Sequence, residues 1–183
     1  MPQFVSYAQN GEDVRLWHAF GPTDPASDKF ERPLTYVEVG ANYPRDLSIS
    51  AALYDLGWRG LLVEADPQLA QQLRIARPGD VVAQIAAASG DGELTFFQIP
   101  GTGLGTLDEK EAQAAAERGF KVLQTRVSTR TIDSVLDEFV TGESRVESIQ
   151  ALTIDVEGAE EGVLAGLSLS RHRPWVLCVE AID

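Results

Sequence analysis

Short apolar runs alternate with amphipathic stretches along this chain, and the alternation predicts a mostly parallel sheet covered by helices. Residues 10–20 read as a helix, with Asn10 as its cap and Val14 and Trp17 three apart. The Pro- and Asp-rich stretch 21–33 reads as an exposed loop. A first core strand is predicted at 36–39. The helix after it carries Ile49, Ala52, Leu53 and Leu56 at i, i+3, i+4 and i+7, and Gly57 stops it. A second strand covers 60–64, and Asp66 and Pro67 then open a helix as cap and first-turn proline, with Leu69 and Leu73 facing inward. A third strand is predicted at 81–87, a turn at 89–92, and an antiparallel strand at 94–99. Residues 101–105 read as a flexible loop. Thr106 with Glu109 three later reads as a capping box for a helix ending near Gly119. Residues 120–130 look extended, and 131–140 form a helix through Ile132, Val135, Leu136 and Phe139. Strands at 151–156 and 175–181, joined by a helix of about two turns, complete the pattern.

With 183 residues and no internal repeat, the expectation is one domain. The net charge of −13, from 15 basic and 28 acidic residues, changes the picture of its partners. A nucleic-acid binder needs a basic footprint to displace phosphate counterions, so a small or neutral partner is expected instead. No apolar run approaches the roughly 20 residues that span a bilayer, and the N-terminal residues lack the basic-then-apolar order of a signal peptide. Neither membrane nor nucleic acid is therefore expected as a partner, and the expected setting is the cytoplasm. The single cysteine, Cys178, excludes a disulfide framework and reads as a small core residue in an apolar strand.

Candidate chemistry concentrates at the predicted strand ends. Around residues 35–44, a short apolar strand bearing Glu38 turns through Gly40 and Ala41. Glycine lets the main chain approach a ligand, and Glu38 offers an acceptor-only carboxylate. The sequence continues Ala41, Asn42, Tyr43, Pro44, so the G-x-G-x-x-G spacing of a dinucleotide loop is missing. An acid-plus-glycine turn without a phosphate cradle fits S-adenosylmethionine better than NAD or ATP. Acids also end the other parallel strands: Glu64, Asp155 with Glu157, and Glu180. In open α/β sheets ligands bind over that edge, and acids inside apolar strands cost free energy unless used. Glu64 can accept both ribose hydroxyls of a nucleoside, or else cap the following helix or pair with Arg59 or Arg74. Asp155 and Glu157 can serve as general base, bind a divalent cation or hold an ammonium, or else cap the helix that Glu160 and Glu161 begin. His18 and His172 carry no role in this reading: His172 precedes the last strand, at the opposite end from the acids, and reads as a surface residue. No Cys/His cluster and no G-x-S-x-G elbow is present, so zinc, iron and serine-hydrolase chemistry find no support.

Several segments resemble the FkbM family of S-adenosylmethionine-dependent methyltransferases: SYAQNGEDV at 6–14, YVEVGAN at 36–42, YDLGWRGLLVEADP at 54–67, AAASGDGELTFF at 86–97, TGLGTLDE at 102–109, VSTRTIDSVLDEF at 127–139, LTIDVEGAEEGVLAGL at 152–167 and RPWVLCVEA at 173–181. The resemblance implies an α/β Rossmann-like methyltransferase fold with helices on both faces of a mostly parallel sheet. It implies an enzyme that methylates a hydroxyl of a sugar or natural product. Residues 1–35 would form a lid region and 36–183 the cofactor-binding core. Glu38, Gly40, Ala41 and Asn42 would make the first cofactor loop, and Glu64 and Ala65 would hold the ribose and flank the adenine. Ala87, Ala88 and Ser89 would lie on the adenine edge, Asp155 beside the methionyl end, and Gln9, Glu12 and Asp13 in a lid over substrate or cofactor. The base would be Asp155, Glu157 or Glu180, or a divalent ion bridging Asp155 and Glu180 would activate the acceptor. The chain departs from the family in Thr153, where lysine is usual, and in Gly105, where serine is usual. It also stops at Asp183, where the family continues, so the C-terminal strand pair is expected to be missing. The open sheet edge would then invite pairing with another copy. These departures leave a second reading, a non-catalytic cofactor- or partner-binding module. A nicotinamide-dependent oxidoreductase is a weaker third.

Overall fold

The computed structural model describes residues 4–20, 34–141 and 148–180; the loop expected at 21–33 and residues 181–183 lie outside them. Five parallel strands build the main sheet in the order β3-β2-β1-β7-β8: β1 Thr35–Val39, β2 Arg59–Val63, β3 Val81–Ala83, β7 Ala151–Ile154 and β8 Val176–Val179. The chain runs outward from β1 through β2 to β3, then returns to the other side of β1 for β7 and β8. The order therefore reverses beside β1, where an open sheet leaves a crevice.

Strand alternation decides which helices cover which face. Val37 and Val39 of β1 pack with Leu61, Val63, Leu152 and Ile154 against helix α5, Ile132–Thr141, and Val163 of α6, Glu160–Ala165. The predicted apolar stripe of α5 (Ile132, Val135, Leu136 and Phe139) is wholly buried there. Each such side chain stabilises the fold by roughly 1.5–3 kcal/mol. Tyr36 and Leu62 point the other way, onto Leu16 of α1 (Glu12–Phe20), Leu53 of α2 (Ala51–Asp55) and Leu73 of α3 (Pro67–Ala76). Glu38 belongs to this second face by the same alternation. No helix among the described residues is long and apolar enough to cross a membrane.

Three local expectations are corrected. The third strand does not continue to residue 87: it ends at Ala83, and Ala86–Ala87 form β4 in a separate sheet, order β4-β6-β5. The cause is the long antiparallel pairing of β5, Gly92–Gln98, with β6, Leu123–Arg130, which draws β4 away from β3. Thr106 does not cap the next helix, because its hydroxyl is committed to the Glu157 carbonyl (2.6 Å) and accepts from the Asp108 amide (2.9 Å). Asp108 caps α4, Glu109–Glu117, by accepting from the Lys110 amide. Finally, His172 is buried rather than on the surface, with Nε2 3.4 Å from Asp137 and 3.8 Å from Asp133 of α5. By contrast, Asp66 caps α3 through the amides of Gln68 and Leu69, with Pro67 in the first turn, as the sequence predicts.

Candidate functional site

The turn after β1 is built around Gly40. Its amide and that of Ala41 both donate to the Val63 carbonyl (3.0 and 3.1 Å), closing the β1 and β2 ends together. Gly40 has φ of +82°, and a Cβ there would overlap the Asp155 carbonyl oxygen at the end of β7. Only glycine fits both demands. Asn42 follows with φ of +54° and donates its amide to Glu64 (2.8 Å). The Asp66 amide takes the other Glu64 oxygen (2.7 Å). Glu64 thus stands at the tip of β2 between two backbone donors. Burial pushes its pKa up to about 7, against the pull of those amides.

Above this edge lies a cavity of about 760 Å³. Glu38, Glu64, Asp155, Glu157 and Glu180 all line it, as do Gly40, Ala41, Asn42, Ala65 and Ala87. Seven carboxylates, counting Glu12 and Asp66, face it against one cation, Lys121. Such a wall favours a cationic or hydroxyl-rich ligand over a phosphate. A loop at 99–107 forms the opposite side, tied down where Asn42 Nδ2 donates to the Gly103 carbonyl (3.3 Å) and Thr106 to Glu157. The Asn42 Oδ1 is buried without a partner among the described residues, an acceptor left for a ligand donor.

At the β7–β8 end, carboxylate oxygens of Asp155, Glu157 and Glu180 lie within 4.8 Å of one another. Asp155 has its pKa pushed up to about 8, first by burial and then by its hydrogen bond to Glu180. Burial and the neighbouring acids also raise Glu157. The capping alternative for Asp155 and Glu157 falls away: Ala159 stands at the N-cap of α6 with no side-chain cap, and Glu160 accepts from the amides of Val156 (2.9 Å) and Gly158 in the turn before the helix.

Several expected residues sit elsewhere or act differently. Ala88 and Ser89 are outside the cavity: the Ala88 amide bonds Arg130 in the small sheet, and Ser89 is exposed on the turn beyond. The break after β3 shifts that wall back to Ile85, Ala86 and Ala87. Gln9 and Glu12 line the cavity, but Asp13 does not. Asp13 is fully buried and accepts from the Ser6 hydroxyl (2.7 Å) and the Tyr7 and Ala8 amides (2.8 and 3.3 Å). It folds the N-terminal strap instead of reaching a ligand. Glu38 is already engaged on both oxygens, by the Ile49 amide (3.0 Å) and the Ser50 hydroxyl, so only its remaining lone pairs are open to the cavity it lines. Cys178 is half-buried and lines the cavity rather than filling the core. Phe96 and Gln98 of β5 are wall residues the sequence reading did not single out, because only the small sheet carries them there.

Comparison with curated proteins finds no match. Among solved structures, a methyltransferase FkbM from Methylobacillus flagellatus KT superposes with a TM-score of 0.50 at 16% identity, over 82% of this chain and 33% of that one. That likeness shows the methyltransferase fold, and the chain spans about a third of the length of that relative. The profile of the methyltransferase FkbM domain matches residues 38–183, from Glu38 of β1 through the whole described edge. By that match the chain belongs to the FkbM methyltransferase domain family.

Proposed function

We propose that this domain binds S-adenosylmethionine and transfers its methyl group to a hydroxyl oxygen of a sugar or natural-product acceptor. The observation that carries the reading is the acidic cavity over the β1–β2–β7–β8 edge, with Glu64 at one end and the Asp155 cluster at the other. The residues fit the cofactor. Glu64, with lone pairs beyond its two amide bonds, suits a ribose diol, and Ala65, Ile85, Ala86 and Ala87 offer an apolar seat for adenine. Gly40 lets the β1 turn pack against the Asp155 carbonyl, the Asn42 oxygen, unpartnered among the described residues, accepts one further donor, and the surrounding carboxylates complement a cation.

When bound, the cofactor supplies an electrophilic methyl on a sulfonium whose leaving thioether is neutral. The chain's own task is then alignment, exclusion of water and removal of one proton from the acceptor hydroxyl. Asp155, paired with Glu180, holds a proton in the neutral range, and its ionised form can take the acceptor's proton at a carboxylate oxygen. Glu157 adjoins that pair, and the strap residues Gln9 and Glu12 close the side facing solvent. Because three carboxylates converge within 4.8 Å, a divalent cation held by Asp155, Glu157 and Glu180 is a second reading of the same cluster. The cytoplasm is the setting this chemistry implies.

Titration calorimetry with S-adenosylhomocysteine tests the binding half, and a mass-shift screen of glycosides and polyketide alcohols with the methyl donor tests the transfer half. Binding with turnover supports the enzyme; binding without turnover on any acceptor supports the non-catalytic module; no binding argues against the enzyme. Rates unchanged by a chelator favour the carboxylate base, and rates lost and restored by magnesium favour the cation.

A further inference from the structure

Arg77 lies behind the cavity wall, at the C-terminal end of α3, and is 2% exposed. Its guanidinium donates to Asp80 (2.9 Å), the Tyr36 hydroxyl (2.8 Å), Ser48 (3.2 Å) and Ser50, and stacks 5.3 Å from the Tyr54 ring centre. Its Nη1 stands 4.0 Å from Glu38 Oε2. A guanidinium has only donors, so Ser50 must accept from Arg77 and spend its own proton on Glu38. The Ile49 amide takes the other Glu38 oxygen. Both oxygens therefore receive hydrogens, the pattern of an ionised carboxylate.

The charges around this group do not balance. From β1 come Tyr36 and Glu38, from α2 Tyr54 and Asp55, and from the loop after α3 Arg77 and Asp80. Asp55 is paired outside with Arg45 at 2.8 Å. Asp80 also accepts the Gly60 amide and the Tyr36 hydroxyl. One buried cation thus faces two buried carboxylates, and of the two only Glu38 opens on the cavity. Its sheet neighbours are Leu62 of β2 and Thr153 of β7, each two residues before an acid of the edge, which places Glu38 between Glu64 and Asp155.

We propose that Arg77 is a positioning residue for the cofactor: acting through Ser50, it keeps Glu38 anionic at the cavity floor to receive the ammonium tail of an adenosyl amino acid. The inference rests on the nucleoside reading of the cavity and adds a residue that touches no ligand. Burial pushes Glu38 toward its neutral form, and Arg77 is the first force against it, ahead of Ser50 and Ile49. Without Arg77 the carboxylate keeps its proton to higher pH and loses its hold on an ammonium, while the nucleoside seat at Glu64 is untouched.

The test compares S-adenosylhomocysteine with 5′-methylthioadenosine, the same nucleoside thioether lacking the amino-acid tail, by calorimetry on the full chain. Arg77→Gln is expected to weaken S-adenosylhomocysteine about tenfold or more, and the loss should shrink as pH rises, since a higher pH favours the ionised Glu38. Methylthioadenosine should bind within about twofold of the unaltered protein, and Arg77→Lys should recover most of the lost affinity. Equal loss of both ligands, or loss of neither, overturns the proposal. Should Arg77→Gln fail to fold by circular dichroism, Ser50→Ala cuts the same relay with Arg77 in place; it must show the same selective loss, and an unselective result overturns the proposal equally. If the unaltered protein binds neither ligand, the nucleoside reading itself fails and takes this inference with it.

Discussion

At the scale of single residues, the site depends on backbone positions as much as on side chains. Gly40 combines a left-handed φ with contact against the Asp155 carbonyl, so Gly40→Ala has no conformation that serves both. A loss of at least about 2 kcal/mol in urea unfolding is expected. Glu64 is the pH-sensitive member. Hydroxyl donors favour its ionised form, so a nucleoside ligand lowers a pKa that burial has raised to about 7 and releases protons on binding. Affinity for S-adenosylhomocysteine should therefore strengthen as pH rises through about 6 to 8. Glu64→Gln should flatten that part of the profile and cost about 1.5–3 kcal/mol of binding. Calorimetry in buffers of different ionisation enthalpy measures both. Glu64 and Asp155 were readable as candidates because an acid at the end of an apolar strand has few structural reasons to be there. Asp13 shows the limit of that logic: its acid type fits a lid, but a turn six residues upstream uses all of it.

At the scale of elements, capping explains what was and was not readable. Asp66 followed by Pro67 is a local signal with one reading, and Asp66 also accepts from Gln98 (2.9 Å), tying β5 to the start of α3. Asp66→Ala should lower stability by about 1 kcal/mol through the cap and loosen the cavity wall at Gln98. Chemical unfolding and ligand affinity report the two effects separately. Thr106 and Glu109 form an equally good local signal that the fold overrides, because Glu157, 51 residues away, claims the hydroxyl. The loop at 99–107 is held similarly from a distance. Gly103 has φ of +78°, and a Cβ there would run into the Asn42 carboxamide. Gly103→Ala is thus expected to displace the loop, weakening ligand binding about tenfold or more while shifting the melting temperature by no more than a few degrees.

For the whole molecule, the acidic cavity opposes folding when empty. Glu64 and Asp155 keep protons in the native state that an unfolded chain has released, so stability falls as pH rises from the ordinary carboxylate range toward their raised pKa values. Between about pH 5 and pH 8 the loss should be on the order of 6 kcal/mol, and a saturating cationic ligand should reverse part of it. Urea titrations with and without S-adenosylhomocysteine provide the measurement. The outer edge of β8 has no neighbouring strand among the described residues. Sedimentation at rising concentration tests whether copies associate there, as an open edge favours. What the sequence determined by itself is local in origin: strand and helix periods, the glycine turn after β1, the Asp66 cap and the acids at the strand ends. Those follow from steric and hydrogen-bonding rules that act within a few residues. Tertiary structure decided that β4 leaves the main sheet, that Asp13 turns inward, that Ala88 and Ser89 miss the cavity, and that Arg77 stands behind Glu38. Asp13 is decided by a nearby turn that claims its oxygens, and the others by contacts between groups far apart in the chain that only the strand order brings together.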